Sequence, residues 1–315
     1  MRAAVICSER ISDGLMMMVA SHRLFTRGYK VTTYQDALPQ MRTWFPHHDL
    51  RQRSPLIGLE QTLSCYDLVI LQYENSPLSH TVINLYKKGH IHNLSVFYSH
   101  YQRGTHPEVT CWDQVFDRSK SMVENIAHAV ASLLQCTQVS KNNGLMIPKD
   151  LKQSRHLKRI LIHPKEAPSD HAWKREKFIK LAFMLAEKGY KIAFIVNTEQ
   201  RLNWISLVGN RFLFPILSTL SHLATYVYES SFLIADDSDV GHLASNLHIP
   251  TLIIAACAKK MALRCPGWFL THVVTPPPWI PNFKGVRLRD KQWYSFISPK
   301  RVFRHFEQMY MHESH

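Results

Sequence analysis

The stretch Ser231–Ala256 reads "SFLIADDSDVGHLASNLHIPTLIIAA". An apolar run ends on Asp236, Asp237 and Asp239. A short helix-like segment follows, and after Pro250 a second apolar run begins. Short apolar runs bounded by turn residues read as buried strands, and strand, loop, helix, strand is the repeating unit of a parallel sheet. In such sheets ligands meet the loops at the carboxyl ends of the strands. The acidic loop therefore sits where a binding site belongs.

The same alternation extends to both sides. Upstream lie a strand "RILIH" (Arg159–His163) and a helix in "WKREKFIKLAFMLAEKG", with Phe178, Ile179, Leu181, Ala182 and Leu185 on one face and Gly189 as its C-cap. A strand "KIAFIV" (Lys191–Val196), a helix Glu199–Val208, a strand "RFLF" and a helix Leu217–Tyr228 complete that half. The first half repeats the pattern. It has the strand "AAVICS" (Ala3–Ser8), a helix Leu15–Thr26 closed by Gly28, "KVTTY" (Lys30–Tyr34), and a helix over 57–64. Then come "DLVILQY" (Asp67–Tyr73), a helix near Leu78–Lys88, "LSVFYS" (Leu94–Ser99), and a long helix near Phe116–Leu134. Between Gln138 and Lys158 the periodicity is lost, which marks a linker. These features predict an α/β fold of two Rossmann-like, doubly wound domains facing a cleft, over residues 1–150 and 151–298. A last helix, 299–315, is expected to pack back toward the N-terminal domain. No GxGxxG follows any strand, which argues against an ordinary NAD or FAD enzyme.

Composition narrows the function classes. The 315 residues are 45% hydrophobic, enough for two cores, and carry a formal net charge of +14 with 19 histidines. Such a balance favours an anionic partner: nucleic acid, an anionic membrane surface or a phosphorylated substrate. The basic residues are scattered and form no helix-turn-helix or RNA-reading signature, so nucleic acid is not expected. The six cysteines include no CxxC pair and read as reduced thiols of a cytosolic protein. No secretion signal is visible, nor any run of about 18 apolar residues. "HIH" (His90–His92) and "PHHD" (Pro46–Asp49) lack the partners of a metal motif, and no GxSxG elbow occurs.

Four loops carry candidate chemistry. In "SERISDG" (Ser8–Gly14), Asp13 lies near a helix N-terminus. It is either a helix-capping acid or a general base, ionised at neutral pH and able to accept a proton from an attacking hydroxyl. In "HPKEAPSDHAWKREKF", Lys165 and His171 precede a helix, where cationic side chains and free N–H groups suit a phosphate; a solvated basic loop is the alternative. Glu199, in "NTEQR", is placed to accept hydrogen bonds from ribose hydroxyls, or simply to support its helix. In the opening loop, Ser238 or Asp239 caps a helix expected to begin near Gly241, with His242 as a further donor to a pyrophosphate. Asp239 is of the wrong sign for that role, since like charges about 4 Å apart repel by roughly 4 kcal/mol at an effective dielectric of 20.

Taken in order, these loops resemble those of the bacterial heptosyltransferases of glycosyltransferase family nine. "VICSERISDGLMMMVA" is similar to the family's opening strand, loop and helix, and Asp13 falls on its catalytic base. "YDLVILQYENSPLSHTVINLYKKG" and "WKREKFIKLAFMLAEKGYKIAFI" resemble two further blocks, and Glu199 matches the ribose-binding glutamate. In "LATYVYESSFLIADDSDVGHLASNLHIPTLII", Asp237, Ser238 and His242 fall on the family's Asp, hydroxyl residue and His. Its phosphate-cradling glycine is Asp239 here, and its loop lysine is His171, with Lys165 nearby.

The resemblance implies a GT-B fold and an inverting transfer of heptose from ADP-heptose, or of a sugar from another nucleotide sugar, with no cofactor or metal required. The implied acceptor is an anionic lipopolysaccharide inner-core intermediate, Kdo or a phosphorylated sugar, at the cytoplasmic face of the inner membrane. Arg51, Arg53 and Lys120 are its expected contacts, and the segment Trp279–Trp293 the expected touch on the membrane. The alternative is a non-catalytic or donor-altered relative that binds a sugar nucleotide, a glycan or a protein partner.

Overall fold

The computed structural model describes residues 1–53, 55–164, 172–282, 289 and 292–313. The chain divides into two units, Met1–Lys149 and Asp150–His315.

The first unit is built on six parallel strands: β1 (Arg2–Ile6), β2 (Lys30–Tyr34), β3 (Asp49–Arg51), β4 (Leu68–Gln72), β5 (Leu94–Tyr98) and β6 (Gln114–Val115). They lie in the order β3-β2-β1-β4-β5-β6. This is the doubly wound order of a Rossmann sheet, and its direction reverses between β1 and β4. Both faces are covered, so the central strands are apolar throughout rather than alternating. The first helix, α1 (Ile11–Thr26), buries Leu15 to Ala20 without a break. A helix that is apolar all round must be covered all round. Here α1 lies against β1 and β2 on one side and against α4 (Met122–Leu133) on the other. Two further helices, α2 (Leu59–Leu63) and α3 (Pro77–Lys87), share a separate core cluster with Ala4, Ile6, Val69 and Leu71 of β1 and β4.

Three expectations shift in this unit. Helix α1 begins four residues before Leu15, which puts Asp13 inside its first turn. The long helix expected from Phe116 starts only at Met122. Phe116 N–H is bonded to Tyr98 O, and Ser121 and Glu124 close a capping box, each satisfying the other's backbone N–H. The supposed linker is in part docked. Arg23 donates to Gln138 O (2.9 Å), Asn143 to Leu15 O (3.2 Å), and Met146 N–H to Trp44 O (2.8 Å).

The second unit has five parallel strands: β7 (His156–His163), β8 (Lys191–Phe194), β9 (Ser230–Asp236), β10 (Thr251–Ile254) and β11 (Thr271–Val274), in the order β11-β10-β9-β7-β8. The expected strand "RFLF" joins the sheet by a single bridge, in which Leu213 exchanges two backbone bonds of 2.9 Å with Ile192 and Phe194. Helices α5 (Arg175–Glu187), α6 (Thr198–Val208), α7 (Leu220–Tyr228), α8 (Asp239–Asn246) and α9 (Ala258–Arg264) surround it, followed by α10 (Trp293–Phe296) and α11 (Pro299–Glu313). Helix α8 starts at Asp239, not near Gly241. Gly241 lies where α8 presses on β10, and a Cβ there would come within 3.2 Å of Ile253 Cδ1.

Helix α11 was expected to turn toward the N-terminal domain. Its apolar side, Val302, Phe303 and Phe306, is built into the second unit's own core. Phe306 meets Phe232 edge-on at 4.9 Å and Tyr190 at 5.2 Å. Of the segment proposed to touch a membrane, Trp279 is exposed but Trp293 belongs to this same core. Residues 283–288, 290 and 291 of that segment lie outside the described residues. No helix among the described residues is long and apolar enough to cross a membrane.

Candidate functional site

In the first unit, the carboxyl ends of β1 to β4 gather a set of polar side chains. The chain leaves β1 through Cys7, Ser8, Glu9 and Arg10 and enters α1. Asp13, in the first turn, accepts a hydrogen bond from the Ser8 hydroxyl. The first turn of a helix is where a carboxylate gains from free N–H groups and the dipole. Ser8 N–H donates to Gln72 Oε1 at 3.1 Å, from the last residue of the neighbouring strand β4. Asp13 thus stands beside the β1/β4 reversal point, where open parallel sheets place their ligands. Cys7 beside it is fully buried. Burial first, and then the Asp13 charge, push its thiol far above the ordinary range, so it is an inert neighbour.

Two glutamines fix this loop. Gln35, wholly buried just past β2, donates to Glu9 O (3.0 Å) and accepts from the N–H groups of Ala37 and Leu38. Gly14 gives it room, since a Cβ at that position would lie 2.8 Å from Gln35 Cγ. Gln72, 3% exposed, holds the other side of the loop. Neither glutamine, nor Ser8, was singled out from the sequence. The available signal was a polar residue terminating an apolar strand, as in "KVTTYQ" and "DLVILQ".

The three expected acceptor contacts stand differently. Arg53 follows β3, but its guanidinium is shared between Asp36 (2.8 Å) and Glu74 (3.0 Å). Glu74 in turn accepts Glu9 N–H at 3.1 Å, so Arg53 ties the ends of β2, β3 and β4 to the Asp13 loop. Arg51 pairs with Asp49 at 3.0 Å, and both side chains are largely exposed, where such a pair contributes little. Lys120 is exposed in the turn before α4, its N–H on Asp117 O (3.2 Å).

In the second unit the order of strands reverses between β7 and β9, and the loops after those strands flank that point. His163, the last residue of β7, contacts Ile195 O at 2.7 Å. Lys165 and His171 lie outside the described residues. The loop ends on buried Trp173, whose indole N–H donates to Ile297 O (2.8 Å), and Lys177 binds the carbonyls of Tyr294, Ser295 and Ile297 at 2.6 to 3.2 Å. Burial first, and then the Lys174 charge, hold the Lys177 ammonium below its usual value.

After β9, the three aspartates part company. Asp236 is buried at 3% exposure as the last residue of the strand. Asp237 reaches Arg264 at 3.6 Å. Asp239 opens α8, and its charge complements the helix dipole there. Ser238 occupies the N-cap position but makes no capping bond, and its buried hydroxyl oxygen has no hydrogen-bond partner among the described residues. His242 is buried one turn into α8. Glu199 is exposed in the first turn of α6, after β8, where Asn197 caps the helix by accepting Gln200 N–H at 2.9 Å.

Among the described residues no group of three or more His, Cys, Asp or Glu is arranged to hold a metal ion. A cavity of about 260 Å³ opens at the amino edge of the first sheet, lined by Tyr29, Leu94, Trp112 and Leu134 among others, away from Asp13.

No family model matches the sequence, and no curated protein matches it. Solved structures do. An Escherichia coli heptosyltransferase, WaaC with ADP, superimposes with a TM-score of 0.71 at 13% identity, over 98% of this chain and 99% of that one. The E. coli ADP-heptose lipopolysaccharide heptosyltransferase II gives 0.73 at 14%, over the whole of both chains. A glycosyltransferase of family nine from Veillonella parvula gives 0.69 at 15%, over 99% and 97%. At such identity the likeness establishes the fold: two parallel, Rossmann-like sheets, matched from end to end.

Proposed function

We propose that this chain is a glycosyltransferase of the heptosyltransferase type, an inverting enzyme that takes heptose from ADP-heptose. The observation that carries the reading is Asp13, hydrogen-bonded to Ser8 beside the reversal point of the first sheet, in a chain that shares its fold end to end with heptosyltransferases. Asp13 takes the proton of the acceptor hydroxyl as its oxygen attacks the anomeric carbon. The bond from that carbon to the diphosphate breaks with inversion, and the electron pair leaves with ADP. The first N–H groups of α8, the Ser238 hydroxyl and His242 receive the growing negative charge. Ser238 suits this role because its buried oxygen has no partner among the described residues. Glu199, exposed after β8, takes the ribose hydroxyls, and Lys165 and His171 belong to the same donor loops.

The acceptor is an anionic lipopolysaccharide inner-core sugar, and the enzyme works at the cytoplasmic face of the inner membrane, to which a net charge of +14 draws it. Arg53 is engaged by two carboxylates and Arg51 by Asp49 in an exposed pair, so the acceptor's charge falls first to Lys120 and then to Arg51.

One feature supports the second reading, a relative with an altered or lost donor. Asp239 puts a negative charge on the first residue of α8, where a diphosphate would approach. Calorimetry with ADP separates the two. Micromolar binding, followed by turnover with ADP-heptose and a Kdo-lipid acceptor, supports the enzyme, and no binding of any nucleoside diphosphate rejects it. In Asp13→Asn, kcat should fall about 10²–10⁴-fold with ADP affinity retained. An unchanged rate rejects Asp13 as the base.

A further inference from the structure

We infer that Ser8, oriented by Gln72, is a positioning residue that sets both the orientation and the proton affinity of the Asp13 carboxylate. This rests on the reading of Asp13 as general base. The contacts form a short chain from the sheet to the acid. Gln72 closes β4 and is almost fully buried, with its amide nitrogen 3.8 Å from Met122 Sδ. The amide oxygen is thereby turned toward the β1–α1 loop, where it accepts Ser8 N–H at 3.1 Å. Ser8 is 5% exposed, and its hydroxyl donates to Asp13 Oδ2. Sheet geometry keeps Gln72 in place, because β1 and β4 pair directly, with Ile6 opposite Leu71. The residue whose hydroxyl meets the base is therefore anchored to the central strands of the sheet.

The surroundings give that hydroxyl a task. On its own loop Asp13 has Cys7, Glu9 and Arg10 as neighbours. Asp36 stands at the end of β2, Arg53 after β3 and Glu74 after β4. Arg53 is held between Asp36 and Glu74, so its charge is already balanced. The thiol of Cys7 is kept neutral by burial. Arg53 is therefore not a free cation for Asp13, and the Ser8 hydroxyl is a side-chain donor placed on the carboxylate. A hydroxyl that donates to a charged carboxylate favours the charged form. It also restrains the side chain to one orientation, which a base in proton transfer requires.

The test uses the full chain and two readouts. Carboxylate NMR titration of Asp13 is independent of turnover. In Ser8→Ala the Asp13 titration should move up by roughly one pH unit, and Ser8→Thr, which keeps the hydroxyl, should restore it. With ADP-heptose and a Kdo-lipid, the acid limb of kcat/KM should move by the same amount, with ADP affinity unchanged. Gln72→Leu, which leaves the hydroxyl in place but unoriented, should give a smaller shift in the same direction. An Asp13 titration that does not move in Ser8→Ala overturns the inference. So does a lower rate with the acid limb unmoved and no recovery in Ser8→Thr, the pattern of a merely structural serine. Failure of the base reading is distinct: there Asp13→Asn keeps its rate, whatever Ser8→Ala does to the titration.

Discussion

Asp239 has two opposed effects at one position. As the first residue of α8, with Ser238 making no capping bond, it is the acid that complements the dipole of that helix. A carboxylate there stabilises by about 0.3–1 kcal/mol. In the proposed donor site the same charge would oppose an approaching diphosphate. Asp239→Asn keeps the shape and removes the charge, so it should lower stability slightly, by at most about 1 kcal/mol. It should also tighten ADP binding roughly tenfold, which corresponds to about 1.4 kcal/mol. Thermal unfolding reads the first effect and calorimetry the second. Unchanged or weaker ADP binding would show that Asp239 does not face the donor. Gly14 is a second position where one atom decides. The Cβ of Gly14→Ala would press on Gln35, which is wholly buried and holds Glu9 O. Overpacking of this kind costs about 1–3 kcal/mol, and the urea midpoint should fall accordingly.

At the scale of elements, α11 completes the second core rather than decorating it. Phe306 is fully buried between Phe232 and Tyr190. Phe306→Ala should cost about 3–5 kcal/mol, read as a lower urea midpoint, whereas a surface helix would tolerate it. The elements legible in the sequence were those whose signal is local. β1, β4 and β5 are mostly apolar runs, β2 is a β-branched one, Val31 to Thr33, and α5 shows its buried face at helical spacing. The illegible ones depend on partners far along the chain. β6 exists because two residues find the end of β5, and the Leu213 bridge because a short run meets β8. The residues 138–149 read as linker, yet Asn143 bonds to Leu15 and Gln138 to Arg23. The candidate site divides the same way. Asp13, Asp237 and Ser238 stood out by type and position. Gln72 and Glu74 did not, because their meaning comes from contacts with Ser8 and Glu9 across more than 60 residues of chain. Arg53 read as a free cation for the same reason, since its two carboxylate partners come from other strand ends.

At the scale of the whole molecule, five histidines make stability depend on pH in one direction. His22 and His48 meet at 3.2 Å beneath the docked 138–149 segment, and Gly144 crosses directly over them. Burial first, and then the charges of His22 and His47, lower His48 from 6.5 to about 4. Burial and His47 lower His22. In the second unit, His156, His272 and His305 are lowered in the same sense, burial being the first cause each time. Each of these rings binds a proton more readily in the unfolded chain than in the native one. Above about pH 6.5 neither state is protonated, and they have no effect. As pH falls below that value, the unfolded chain takes up protons that the native state refuses, so stability declines. For His48 the decline ends near pH 4, where the native ring also titrates. Asp117 and Glu124, lowered by hydrogen bonds from Ser119 and Ser121, cost stability only at lower pH, as those carboxylates protonate. The window between about 5 and 6.5 therefore belongs to the histidines. Urea unfolding should give a lower midpoint at pH 5 than at pH 7.5 with an unchanged slope. In His48→Gln, which cannot titrate, that difference should shrink by the order of 1 kcal/mol once solvent screening of a half-buried ring is allowed for. Hydrogen exchange should locate the change, with residues 138–149 losing protection at pH 5 in the wild type and keeping it in the variant. A midpoint that is flat from pH 7.5 to 5 would mean that these rings are as easily protonated in the fold as in water.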